Sequence, residues 1–393
     1  MAGVFGLSDK EKRIRDTASA RADSEIIFKE RPDRVGPFLK KHLDKFIFDE
    51  FSVSYLKKAG GSLDFMKGIP IPLRKEDIKD FNSKDGLSVL VIAENMAWII
   101  GIDPKFKYVD AYLTFMNIHF GKKVDQYLVK EAKDAAEKND FDDACIHFRA
   151  SLCVKPDYLD SMYGYARVCR KMYEAGNNET YIGKLKAEAF DYFELITEIH
   201  PRFAQGFYYL GYMYLNMGLY AKAKAAWDTF LTKSLNGKDK KEIKSRLKQI
   251  ALPLEIEKGY NEVLAQRWDN GIAILEPFLA GEYKEWWPLS YYLGVAYSST
   301  GRQDEAIERL KTVMKLNPGH IETMLELADI YEALGQKEKV KKYKDKAALI
   351  QKGGYKSEDE ATLEDDDTNI ISDKKLETRK KEVKKLKKLE KKV

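Results

Sequence analysis

Between Trp287 and Pro318 the apolar and small residues fall on one helical face, break off, and resume on a second. Leu293, Gly294 and Tyr297 stand at i, i+1 and i+4. Past Gly301, residues Ala306, Leu310 and Val313 stand at i, i+4 and i+7, and Pro318 ends the run. That period predicts two short helices joined by a glycine turn. Pro318 stops the second helix because it has no N–H to donate and holds Asn317 away from helical angles. Small Gly294 and Ala306 let the paired helices come close, and the larger side chains fill the space around them.

The pattern recurs along the chain. Leu327, Ala328 and Tyr331, then Gly335, then Val340 and Ala347 repeat it 34 residues on. Upstream, Leu210, Gly211, Tyr214, Gly218, Tyr220, Ala223, Trp227 and Phe230 form another copy. An earlier one has Ala132, Phe141, Ala144, Phe148, Leu152 and Pro156. The copy after that has Met162, Tyr165 and Ala166, then Ala189, Phe193 and Pro201. It carries about eleven extra residues around Gly176–Lys184, which the pattern places in the turn between its helices. A degenerate copy spans roughly Ile256–Leu279, with Trp268 and Ile272 in place and Gly271 where Ala is usual. Any helix pair has periodic apolar residues, so a single copy would say little; several copies with Gly, Ala and Pro in phase say much more.

This spacing of small, aromatic and Pro positions resembles the tetratricopeptide repeat, and YYLGVAYSSTGRQDEAIERLKTVMKLNP (Tyr291–Pro318) lies very near that family's consensus. The resemblance covers about Asp125–Gln351, divided into units at 122–156, 157–203, 204–236, 252–281, 285–319 and 320–351. The fold class is all-α: a helical-hairpin repeat solenoid, a TPR-like superhelix, with a helical N-terminal cap and a charged C-terminal tail. The sequence departs from the family in the lengthened second copy, the weak fourth copy and the missing Pro after Phe230. Residues 239–251 read instead as an extra helix, so a bend or split is expected near 235–255.

The resemblance implies a concave groove lined by the first helices of successive repeats, with set positions pointing inward. In this sequence those positions are Tyr163, Arg167, Arg170 and Lys171 in the second copy, and Tyr208, Tyr212, Leu215 and Asn216 in the third. In the last two copies they are Tyr291, Val295 and Ser298, then Leu325, Asp329 and Glu332. Tyrosine suits such a surface, with a broad apolar ring and a polar tip. It can equally pack between helices. The implied ligand is a protein or peptide with hydrophobic anchors, oriented by a basic end at Arg167, Arg170 and Lys171 and an acidic end at Asp329 and Glu332. A clamp for acidic C-terminal peptides needs Asn where Tyr212 and Val295 stand, so a receptor of that type is disfavoured.

Outside the repeats the pattern weakens. Residues 1–36 read as a charged arm with one helix near Ser8–Glu30. Residues 37–121 read as mostly helical, either divergent repeats capping the stack or an independent domain. Within them Gly68–Pro72 is an extended break, Ser88–Ile100 an apolar helix stopped by Gly101 and Pro104, and Phe106–Phe120 an amphipathic helix.

Charge changes this picture mainly at the far end. Residues 357–373 hold eight Asp/Glu and no Lys/Arg, so 352–373 reads as an acidic linker. Residues 374–393 hold eleven Lys/Arg against three Glu, with a coiled-coil-like apolar stripe at Leu376, Val383, Leu386, Leu389 and Val393. Removing that +8 block from the total of +5 leaves −3, so the body gives no electrostatic support to nucleic-acid binding. The tail is expected to fold back on the acidic linker. A weak contact with a polyanion is the alternative, and it would make the chain a nucleic-acid- or ribosome-associated factor anchored by its tail.

Candidate chemistry is thin. Gly176–Leu185 superficially resembles a phosphate loop but has six residues between its glycines and Leu185 where Mg²⁺ binding needs Ser or Thr. Cys145, His147 and Cys153 scatter over different faces of one helix and offer no fourth metal ligand. His42, His119, His200 and His320 are isolated, the last two expected at the surface. No cofactor and no catalytic set is called for. Three cysteines, no recognisable signal peptide and no span of ~20 apolar residues make cytoplasmic the expected location. The function expected is that of a non-enzymatic protein–protein interaction scaffold or adaptor.

Overall fold

A computed structural model describes residues 32–77 and 87–352. The expected helix at Ser8–Glu30, most of the acidic linker and the Lys-rich tail lie outside the described residues. The chain divides into two compact units at Leu254/Glu255, inside the stretch where the repeat pattern breaks.

Unit 1 opens with short helical turns at Gly36–Leu39 and Val53–Lys58 and a two-stranded antiparallel sheet. Strand β1 (Phe46–Asp49) pairs with β2 (Ile71–Arg74), from Phe46 opposite Arg74 to Asp49 opposite Ile71. The extended break expected at Gly68–Pro72 thus leads into half of a hairpin, whose other half lay in a stretch read as helical. Pro72 cannot donate. Its carbonyl accepts from Asn95 Nδ2 at 3.3 Å, and the Pro70 carbonyl accepts from the Tyr112 hydroxyl at 2.5 Å. Ile71 and Leu73 are buried beneath these contacts.

Helices α1 (Val89–Ile102) and α2 (Val109–Phe120) follow, Ser88 capping α1 by accepting from Leu90 N–H. Gly101, expected to stop α1, lies inside it. A Cβ there would collide with the Ile146 carbonyl, so this glycine is the point where α1 crosses the fourth helix. Paired helices then succeed one another: α3 (Val124–Glu137) with α4 (Phe141–Val154), α5 (Leu159–Ala175) with α6 (Glu179–Ile199), and α7 (Ala204–Asn216) with α8 (Tyr220–Lys233). The extra helix α9 (Gly237–Gln249) begins where Asn236 caps it by accepting from Lys238 and Asp239 N–H.

The unit boundary falls within α10 (Ala251–Leu264), which precedes α11 (Trp268–Leu275). Unit 2 continues with α12 (Trp287–Ser299) and α13 (Gln303–Leu316), then α14 (Ile321–Ala333) and α15 (Lys337–Gln351). One buried cluster, from Ile256 to Ala347, fills it. In unit 1 a single cluster from Val35 to Ala226 joins the N-terminal segment to the hairpins, and a smaller one around Trp227, Phe230 and Ile243 lies under α9.

Five hairpin turns share one device. Asn139, Gly218, Gln266, Gly301 and Gly335 all adopt positive φ, and the next residue's N–H reaches back five positions, as Arg302 to the Tyr297 carbonyl at 2.9 Å. The second pair has no such turn. Its extra residues do not form a loop, as the sequence suggested, but lengthen the helices, α6 to 21 residues and α5 to 17. Asn178 caps α6 by accepting from Tyr181 N–H, and the added turn gains a partner because Tyr181 packs edge-on against Phe38 at 4.8 Å. The glycine–lysine pair of the supposed phosphate loop, Gly183 and Lys184, is therefore helical.

Among the described residues, no helix is long and apolar enough to cross a membrane.

Candidate functional site

The first helices α3 and α5 stand side by side over a cleft of about 950 Å³. Its depth depends on Gly164: a Cβ there would strike the Phe148 ring, so only glycine lets α5 settle this close to α4. Phe141, Phe148, Tyr163 and Phe203 supply apolar surface, and charged residues from both helices ring it. Tyr163 is half-buried, edge-on to Phe203 at 4.9 Å, and the Arg167 guanidinium lies over its ring at 5.4 Å. Burial, and then the neighbouring Tyr209, push the Tyr163 hydroxyl above the usual tyrosine range, so it stays a neutral donor at any physiological pH.

The rim is mostly self-neutralised. Lys133 of α3 pairs with Asp160 of α5 at 3.1 Å, while Arg170 and Lys171 both hold Glu174, at 2.7 and 3.2 Å. Exposed Arg167 has no carboxylate partner among the described residues. Of the basic group expected here, Tyr163, Arg167 and Lys171 line the cleft together, and Arg170 lies beside it with its charge engaged and its guanidinium over Tyr209 at 5.3 Å. No His, Cys, Ser or Thr lines the cleft. Its chemistry is that of holding a chain segment: rings to cover, a guanidinium to pair, and two of its three carboxylates, Asp160 and Glu174, already paired.

The third pair is different. The hydroxyls of Tyr208 and Tyr212 both donate to Glu242 of α9, Tyr212 packs edge-on against Trp227 at 5.1 Å, and Arg246 lies over the Tyr212 ring at 5.9 Å. These tyrosines hold α9 in place; Asn216, at the end of α7, is exposed. A signal was present in the sequence, since Glu242 and Arg246 have the same four-residue spacing as Tyr208 and Tyr212, but nothing local said that the two helices would meet. In unit 2, Tyr291 and Val295 are partly buried on α12, while Leu325 and Asp329 are exposed on α14. His320, expected at the surface, is 14% exposed in its side chain: Nδ1 accepts from Thr323 N–H to cap α14, and the ring lies against Trp287 and Tyr291.

Cys145 and Cys169 are fully buried, and burial pushes the Cys153 thiol up to about 12. No cluster of three His, Cys, Asp or Glu suited to a metal occurs among the described residues.

Residues 289–320 match a family model described as the tetratricopeptide repeat. No curated protein matches the chain. Among solved structures, a MamA protein is similar at 16% identity over 64% of this chain and 99% of that one, with a TM-score of 0.23. The P58(IPK) TPR domain is similar at 19% identity over 59% and 61%, with a TM-score of 0.34. YrrB, described as a TPR protein with an unusual peptide-binding site, is similar at 17% identity over 52% and 92%, with a TM-score of 0.25. Likenesses this weak locate no residue and imply no ligand here. The matched segment spans α12 and α13, where Gly294 faces Leu310 between the helices and Gly301 turns the chain. The chain is a helical-hairpin repeat protein carrying a tetratricopeptide repeat at residues 289–320.

Proposed function

We propose that this protein is a non-enzymatic scaffold that binds a protein or peptide segment, and that unit 1 does so in the cleft between α3 and α5. The observation that carries the reading is the grouping of Tyr163, Phe203 and unpaired Arg167 around one open cleft of about 950 Å³. Half-buried rings beside a single uncommitted guanidinium favour an extended segment with an apolar anchor and a carboxylate. The hydroxyls of Tyr208 and Tyr212 already have Glu242, so the ligand engages the cleft upstream of them.

Affinity capture with the full chain tests this, comparing the native protein with Arg167→Glu and with Lys238→Glu on exposed α9. Proteins retained by the native chain and by Lys238→Glu, and lost at least tenfold with Arg167→Glu, are the expected result. Identical partner sets for all three would defeat the reading.

A further inference from the structure

Unit 2 offers a second surface, on the inner faces of α12 and α14. Tyr291 and Val295 occupy the same repeat positions as Leu325 and Asp329, 34 residues on, so the four share one face. Leu325 is 44% exposed, a large apolar side chain left open on α14, while Tyr291 and Val295 on α12 are partly buried. Acidic groups surround it. Glu322 and Glu326 lie close enough to Tyr291 that burial and their charges push its hydroxyl up to about 12. Neither Glu326 nor Asp329 has an ion-pair partner among the described residues. Glu322, at the start of α14, faces the His320 imidazole at 3.5 Å, and Glu332 is held by Lys344 of α15 at 2.9 Å, so the uncommitted acids are Glu326 and Asp329 in the middle of α14.

Chain geometry brings a complementary segment to the start of this helix. Helices α14 and α15 form an antiparallel pair, so the chain leaves α15 after Gln351 beside the N-terminal turn of α14, where Ile321 and Ile350 pack against the same core. From Lys352 to Lys374 the chain spans 22 residues, for which a flexible coil reaches about 25 Å. The first inner-face turns of α14 fall within that distance. Beyond it come eleven Lys/Arg interleaved with Leu376, Val383, Leu386, Leu389 and Val393.

We propose that the C-terminal segment 374–393 docks on the inner face of unit 2, its apolar side chains covering Leu325 and its lysines pairing with Glu322, Glu326 and Asp329. The acidic stretch 357–373 is the rival partner for those lysines. It matches their charge, but its only large apolar residues are Leu363, Ile370 and Ile371, two of them beside the tail itself. The α12–α14 face matches both charge and apolar character. A covered face would admit an outside ligand only after the tail is displaced, for instance by phosphate groups that neutralise its lysines.

Zero-length carbodiimide cross-linking of the full chain, as an equal mixture of ¹⁴N- and ¹⁵N-labelled protein, tests the proposal. Links from lysines of 374–393 to Glu322, Glu326 or Asp329, within peptide pairs of one isotope, are expected. Leu325→Ala leaves every carboxylate in place and should reduce these links at least threefold, and 0.5 M salt should reduce them further. Links confined to carboxylates of 358–373, links joining the two isotopes, or links indifferent to Leu325→Ala would each overturn it. The α3–α5 cleft takes no part in this experiment, so either proposal can fail alone.

Discussion

The interior of unit 2 is apolar almost throughout, with Glu257, Ser290 and Thr323 its buried polar residues among those described. Unit 1, built from the same kind of hairpin, buries an arginine. Arg149 of α4 donates from Nε to the Gly101 carbonyl at 2.6 Å, and its two terminal nitrogens hold the Asp33 carboxylate at 3.0 and 2.5 Å. The same guanidinium reaches the Tyr165 hydroxyl at 3.3 Å, which donates to Glu188 at 3.1 Å. Arg34 closes the chain on Glu188 and Asp191, at 3.4 and 2.6 Å. Burial works against the Asp33 charge, but Arg149 outweighs it and holds the carboxyl below its usual range; Arg149 itself is held firmly protonated. Regular hairpins stack on one another mainly through apolar surface, with few buried polar contacts such as that between Ser151 and Ser161 at 2.6 Å. Where an irregular N-terminal segment must find one position against α4, α5 and α6, a directional polar network fixes it.

The sharpest way to break this comparison is to delete its centre. Arg149→Ala strands Asp33 beneath the segment and is expected to destabilise unit 1 by about 3–5 kcal/mol. Arg302→Ala in unit 2 removes a surface arginine paired with Glu305 and Glu276 in solvent, and should cost far less. Native-state hydrogen exchange, read separately on peptides of each unit, gives both numbers. Equal costs would mean that the buried network contributes nothing beyond a surface ion pair.

A smaller effect distinguishes two glycines at equivalent positions. At Gly211 a Cβ would overlap the Trp227 indole, whose Nε1 already donates to the Tyr208 carbonyl at 3.1 Å, so the ring cannot yield freely. At Gly294 the nearest atoms, 2.8 Å away, belong to the Leu310 side chain, which can rotate. Gly211→Ala should therefore destabilise by about 1–3 kcal/mol and Gly294→Ala by less. Chemical denaturation of the two variants decides the order, and a reversed order would place the rigid hairpin in unit 2.

The smallest effect is a pH dependence. His147 pairs with Asp143 at 2.7 Å; burial opposes its charge, but that carboxylate and the more distant Glu94 prevail and raise its pKa. Lys41 and His42 face the neighbouring Asp142, not Asp143. A raised histidine pKa gives stability that is complete below the ordinary value of about 6.5 and is lost as pH climbs through the folded value. Asp143→Asn should thus cost about 1.5 kcal/mol or less at pH 5.5, with the gap to the native protein narrowing toward pH 9. A gap that widened with pH would show His147 to be neutral in the folded chain.

The hairpins were legible because their signals are local. An apolar period of 3.6 residues, a glycine at the turn and a small residue at the crossing identify a helix pair from about thirty consecutive residues. The extra helix α9 was legible for the same reason. Two local readings failed where a tertiary contact overruled them. Gly101 looks like a stop signal but is a crossing point for Ile146, and the insertion near Gly176 looks like a loop but becomes helix because Phe38 covers Tyr181. Strand β1 left no trace, since four residues with only Phe46 buried show no alternation to read.

The candidate cleft was half legible. The repeat resemblance assigned Tyr163, Arg167 and Lys171 to groove positions, and the three line one cleft. The resemblance gave Tyr208 and Tyr212 the same standing, yet Glu242 of α9 claims both hydroxyls. By itself the sequence determined which face of each helix turns inward, because that follows from a few neighbouring residues and the helical period. Only the tertiary structure decided what each inward face meets: Asp33 and Arg149 are 116 positions apart, and no periodicity couples residues across such a distance.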